Sequence, residues 1–255
     1  MEAIGVAKST KRCWAMVLGD CDGGLTREHL VSECVTPKKV SVRGLPWCKT
    51  ELKTVGVGSL TGHILCQRHN NDLSVVDQEI KSFKQTILEV DNHPSTTEIK
   101  GGRLYMNLDG RLLARWLAKT YCNFLTAQDH FVEPELVRFC FGRSSKKSPQ
   151  VWVPVWKGLQ LKLNNDHILG LYEWKEDTGG FIAEMPLFGF PWLLTSLDLP
   201  RKDFLNILEQ LQIIPHSARR SVLPNPPEIS FEIGAQKYRV IIRWGTRRNK
   251  GYDQA

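Results

Sequence analysis

Apolar positions along this chain change period several times, and each change marks an element. Leu73, Val76, Ile80, Phe83 and Ile87 recur at steps of three and four, the apolar stripe of an amphipathic helix that starts close to Asn70. Asn70, Asn71 or Asp72 can cap its first turn. A polar stretch at residues 91–97 ends it. A second helix is predicted over residues 108–126, with Leu113, Trp116, Leu117, Thr120 and Phe124 on its apolar face. Arg111, Arg115 and Lys119 recur every four residues on this helix and form a basic stripe.

Before the first helix the pattern is β-like. A short strand-like segment covers 13–18, an Asp- and Gly-rich turn covers 19–24, β-leaning stretches cover 39–45 and 52–60, and an apolar run covers 63–66. Beyond a polar loop at 142–149, strands are predicted at 151–156, 159–163, 168–174, 180–186, 229–233 and 238–244, interrupted by a helix near 201–212. Trp152, Trp156, Trp174, Phe181, Phe188, Phe190 and Trp192 supply the core of this half. The expected class is therefore α+β. Its units are an N-terminal one at 1–92, a helical connector at 93–148 and a β-rich C-terminal domain with a basic tail at 149–255.

Charge alters this picture at one end. The net charge is +7, and residues 215–255 hold eight Lys/Arg against three Asp/Glu. Lys237, Arg239, Arg243, Arg247, Arg248 and Lys250 follow one another with no acid between them. Such an excess suits a polyanion. No apolar run approaches the roughly 20 residues needed to span a bilayer, and the first residues lack the apolar stretch of a secretory signal. No membrane partner and a cytoplasmic location are expected. Seven cysteines, an odd number, argue against a disulfide framework in that compartment. Cys13, Cys21, Cys34, Cys48 and Cys66 crowd the first quarter of the chain, which suggests a metal site.

Two stretches carry the candidate chemistry: Leu25-Thr26-Arg27-Glu28-His29-Leu30-Val31, and Leu65-Cys66-Gln67-Arg68-His69-Asn70-Asn71-Asp72 leading into the first helix. Together they resemble the HNH (ββα-metal) endonuclease superfamily, especially its zinc-bound endonuclease VII-like members. Those pair Glu-His or Asp-His on a hairpin with Cys-x-x-Cys-Asn at a helix start. The resemblance covers roughly residues 10–90.

It implies metal-dependent hydrolysis of DNA phosphodiester bonds, leaving 5′-phosphate and 3′-hydroxyl ends. His29 would be the general base, since imidazole titrates near neutrality. Glu28 and Asn70 would hold a catalytic Mg²⁺ or Mn²⁺; Asn71 rivals Asn70, and Asp77 on the same helical face would orient the site. A structural Zn²⁺ would be held by Cys66 and His69, three apart as in many zinc sites, with His in place of the family's second Cys. Cys13 and Cys21 are the first-choice partners, although they are eight residues apart and the insertion between His29 and Cys66 is long. Cys34 and Cys48 are the alternatives. Arg27, Arg111, Arg115, Lys119, Arg243, Arg247 and Arg248 are candidate phosphate contacts. DNA is the expected partner and RNA the second choice; cutting both strands would suit a homodimer. The rival readings are a non-catalytic zinc-stapled nucleic-acid-binding module and a nuclease effector controlled by a sensing C-terminal half.

Overall fold

The computed structural model describes residues 12–36, 38–42, 51, 53–92, 104–143, 149–154, 168–173, 181–187, 190–195, 204–206, 209, 222–233 and 236–244. Among the described residues it is a mixed α/β molecule with three sheets and few helices. Its first strand, β1, is Leu25–His29, followed by β2 (Lys39–Val42), β3 (Lys53–Gly56) and β4 (Thr61–Cys66). Two helices follow directly, α1 (Gln67–Asp72) and α2 (Ser74–Asn92). Then come β5 (Leu104–Asp109), α3 (Gly110–Ala127) and α4 (Pro134–Cys140). The remaining strands are β6 (Gln150–Pro154), β7 (Ile168–Glu173), β8 (Phe181–Leu187), β9 (Phe190–Thr195), β10 (Val222–Pro224), β11 (Glu228–Ile233) and β12 (Gln236–Arg243).

The helical stripe of the first half behaves as its spacing predicts. Leu73, Val76, Ile80, Phe83 and Ile87 are all buried on one side of α1–α2, each contributing about 1.5–3 kcal/mol by leaving water. α3 starts two residues later than the pattern predicts because Asp109 caps it, its carboxylate accepting from the N–H groups of Arg111 and Leu112. Residues 104–109, just ahead of it, form β5.

α3 is a central helix. It packs against α2, α4, β4, β5, β9 and β12, so buried positions run almost all round it from Gly110 to Leu125. That divides the basic stripe expected to contact phosphate: Lys119 is buried and Arg115 half-buried, while Arg111 remains exposed. Gly110 is needed at its start. A Cβ there would lie 2.5 Å from the Trp244 ring.

Two short segments depart from the β-like pattern. Residues 13–18 are not a strand: a 3-10 turn covers Met16–Leu18 and closes on Gly19 in the left-handed region at φ 78°. The 52–60 stretch splits into β3 and a second 3-10 turn, Val57–Ser59. β9 and α4 are elements that periodicity alone misses. The expected strand at 159–163 lies outside the described residues, and of the helix near 201–212 residues 204–206 and 209 are described and helical.

Sheet pairing draws on distant parts of the chain. β1 and β4 form an antiparallel pair. A seven-stranded sheet runs β10-β6-β9-β8-β7-β2-β3, its β2–β7 pair parallel. The third sheet is β11-β12-β5, with β5 parallel to β12 and Leu104 opposite Tyr238. One apolar cluster extends from Cys13, Trp14 and Ala15 through α2, α3 and α4 to Val151, Trp192, Ile229 and Ile242. The β1–β4 pair with α1 sits at one end of that cluster.

Candidate metal centre and the strand beside it

Four ligand atoms converge where the loop ahead of β1 meets the start of α1. Cys13, Cys21, Cys66 and His69 each offer one atom, and these lie within 4.8 Å of one another. The His69 Nδ1 is 3.4 Å from the Cys13 Sγ, 3.6 Å from that of Cys21 and 3.2 Å from that of Cys66.

Local structure explains the convergence. Cys66 ends β4 and is the N-cap of α1, so His69 falls one helical turn later on the same side. The loop is laid across this point by backbone hydrogen bonds: Trp14 N–H to Ile64 O at 3.0 Å, Gln67 N–H to Gly24 O at 3.0 Å and Arg68 N–H to Asp22 O at 3.2 Å.

Burial pushes the Cys13 thiol up to about 12. Burial likewise raises Cys21. Burial opposes ionisation of Cys66 too, but the backbone N–H groups of His69 and Asp22, with the Cys13 and Cys21 thiols, outweigh it and lower its value.

The donor chemistry fits zinc. Three sulfurs and one imidazole nitrogen form a closed S₃N set of the kind found in structural zinc sites. His69 is fully buried, and its Nε2 is 2.9 Å from Asp20 Oδ1. A proton on Nε2 donated to that carboxylate leaves Nδ1 free for the metal, the usual outer-shell arrangement of a metal-bound histidine. Asp20 is itself held by Arg143 and by Arg68 at 3.2 Å. The Arg143 hydrogen bond, then that of His69, brings its carboxyl down to about 2. Phe141 covers the His69 ring edge-on with centroids 5.0 Å apart. Cys34, an alternative ligand, instead directs its Sγ to the Asp77 carbonyl at 3.8 Å. Cys48 lies outside the described residues.

Of the expected catalytic residues, Glu28 and His29 lie on β1 and Asn70 on α1. His29 ends β1; its side chain is 30% exposed and its Nε2 is 3.8 Å from Glu33 Oε2. Asn70 sits in α1 and its Nδ2 donates to Thr26 Oγ1 at 3.1 Å, which ties the helix to the strand.

Glu28 points the other way, into the molecule. Its Oε1 is 2.8 Å from the Lys119 Nζ, which is also 2.7 Å from Asp77 Oδ2. Ser32 Oγ donates to Asp77 and accepts from Trp116 Nε1 at 2.9 Å. Burial alone would lower the Lys119 pKa, but Asp77 and Glu28 outweigh it and raise it.

The Glu28 carboxylate is thus already paired with an ammonium, and Asn70 is tied to Thr26 through its Nδ2. Among the described residues the one group of three or more His, Cys, Asp or Glu placed to share a metal is the Cys₃His set. Lys119, expected to touch phosphate, is instead the buried partner of two carboxylates.

The remaining basic residues divide. Arg27 is exposed, with its guanidinium on Thr61 Oγ1 at 2.9 Å and Gly58 O at 2.8 Å. Arg115 donates its Nε to Cys140 O at 2.7 Å. Arg243 is exposed and reaches Asn107 Oδ1 at 3.0 Å. Arg247 and Arg248 lie outside the described residues.

Two contributors escape the sequence reading. Asp20 stands in the Asp-Gly turn beside Cys21, where its position next to a candidate ligand was a usable signal. Asn123 gave no such signal. It lies on α3, accepts from Trp14 Nε1 at 2.9 Å and donates to the His29 carbonyl at 3.0 Å, so one amide links the metal loop to the end of β1.

Compared with known proteins, the chain matches no family model, no curated protein and no solved structure. No helix among the described residues is long and apolar enough to cross a membrane.

Proposed function

We propose that this protein is a zinc-braced endonuclease of the HNH (ββα-metal) type, hydrolysing phosphodiester bonds in DNA with His29 as general base. The observation that carries the reading is the Cys₃His cluster. It joins the loop ahead of the Glu-His strand to the start of the helix after β4, so an antiparallel pair and the following helix are held as one unit.

On this reading His29, part-exposed at the end of β1, takes a proton from water. The water oxygen bonds to phosphorus and the P–O3′ bond breaks, leaving a 5′-phosphate and a 3′-hydroxyl that takes its proton from solvent. Glu33, 3.8 Å from His29 Nε2, is placed to pair with the imidazolium that this transfer forms. Exposed Arg27, two residues before His29, supplies positive charge to the backbone of the nucleic acid.

One specific observation favours the rival binding module: the carboxylate expected to carry the catalytic cation is already paired with Lys119. Plasmid cleavage separates the two readings. Zinc-loaded protein is incubated with supercoiled DNA and Mg²⁺ or Mn²⁺, beside His29→Ala and an EDTA control. The nuclease reading expects nicked or linear product from wild type and at least a 100-fold loss in His29→Ala, the usual size of a general-base contribution. DNA binding without cleavage by either protein supports the binding module. Equal cleavage by both removes His29 from the mechanism.

A further inference from the structure

We infer that Lys119 is the resident cation of the Glu28–Asp77 carboxylate pair, making Glu28 a positioning residue for the end of β1 and not a divalent-metal ligand. The inference rests on the endonuclease reading only for the role that reading gives Glu28, and it replaces that role.

The argument begins with position. Lys119 is 1% exposed, and its ammonium lies 2.8 Å from one carboxylate and 2.7 Å from the other. An ammonium buried so deeply persists only where opposite charges surround it. Glu28 comes from β1, Asp77 from α2 and Lys119 from α3, so the three-centre contact pins the strand to both helices. Asn123, one turn further along α3, holds the carbonyl of His29. Consecutive turns of α3 thus grip consecutive residues of β1.

Alternation along the strand then explains the division of labour. Glu28 faces inward to its lysine, while His29 is the part-exposed residue. A divalent cation at Glu28 would have to displace or share its carboxylate with a buried ammonium a hydrogen bond away, and the two cations would repel strongly at that range.

The experiment is a Mn²⁺ titration of zinc-loaded protein, without nucleic acid, followed by electron paramagnetic resonance and by thermal shift. Wild type, Glu28→Gln and Lys119→Met are compared. Two results support the inference. Glu28→Gln leaves the Mn²⁺ affinity of wild type unchanged. A folded Lys119→Met, whose two carboxylates have lost their cation, binds Mn²⁺ at least tenfold more tightly than wild type and is stabilised by it.

Two results overturn the inference: saturable Mn²⁺ binding by wild type that Glu28→Gln abolishes, or a folded Lys119→Met that gains no affinity. The first comparison stands even where Lys119→Met does not fold. Because no cleavage is measured, failure here is distinct from failure of the nuclease reading, which the plasmid experiment reads by itself.

Discussion

Lys119 decides much at the scale of single residues. Removing its ammonium leaves Glu28 and Asp77 facing each other inside the molecule, and breaking a buried ion pair in this way costs about 3–5 kcal/mol. Chemical denaturation of Lys119→Met is expected to show a loss of that size. The pH dependence follows from the raised pKa of this lysine. A folded value above the ordinary 10.5 means that the contribution is fully present below 10.5 and is lost as pH rises through the folded value. The difference in Tm between wild type and Lys119→Met should therefore stay constant from about pH 7 to about pH 10, then narrow. A gap that closes well below that range would assign the stabilisation to another group.

On the zinc-braced reading, the element expected to lean most on the Cys₃His cluster is the β1–β4 pair. Two antiparallel strands alone are marginal in water, and this pair belongs to neither of the larger sheets. It is held by α3 on one side and by the Cys₃His loop at its end. Structural zinc sites return apparent binding energies of about 10–16 kcal/mol in small domains. Removing zinc with a chelator, or one ligand by Cys66→Ser, should lower Tm sharply. Amide exchange should accelerate first at Trp14 and Gln67, whose N–H groups tie the loop to β4 at Ile64 and the start of α1 to the loop at Gly24. Cys34→Ser is the control and should keep one equivalent of zinc, because that thiol faces the Asp77 carbonyl. Loss of zinc in Cys34→Ser would reopen the choice of ligands.

Across the whole molecule, the interwoven sheets give the metal end its support. β2 and β3 precede the metal helix in sequence yet extend the sheet of β6 to β10, and β5 leads directly from the β11–β12 pair into α3. Charge acts at this scale too. With a net +7 and Arg27, Arg111 and Arg243 exposed, the proposed endonuclease should lose nucleic-acid affinity as salt rises, because releasing counterions then gains less free energy. Three phosphate contacts imply a drop of roughly 40-fold between about 50 and 200 mM salt. Binding measured by fluorescence anisotropy across that range checks it, and a flat response would exclude these arginines as phosphate contacts.

Local rules made several features legible from the chain alone. The 3.6-residue period exposed the apolar faces of α2 and α3, and Cys66 and His69, three residues apart, showed a spacing familiar from zinc sites. Cysteine crowding pointed to a metal, and the first-choice pair Cys13 and Cys21 is the one that joins them. The helical faces and the Cys66–His69 spacing depend on neighbours within a few residues, whereas the choice of Cys13, 56 residues from His69, came from the family resemblance.

What the sequence left undecided depends on which distant surfaces meet. Arg111, Arg115 and Lys119 share a spacing that reads as a solvated stripe, yet α3 is enclosed by elements from both halves of the chain, and the stripe is split between solvent and core. Asn123 and Asp20 acquire their roles only when Trp14, His29 and His69 are brought to them. The parallel pairs β2–β7 and β5–β12 unite segments more than a hundred residues apart. Side-chain burial and ion pairing are set by tertiary enclosure, and a one-dimensional pattern carries no record of what will lie on a helix's far side.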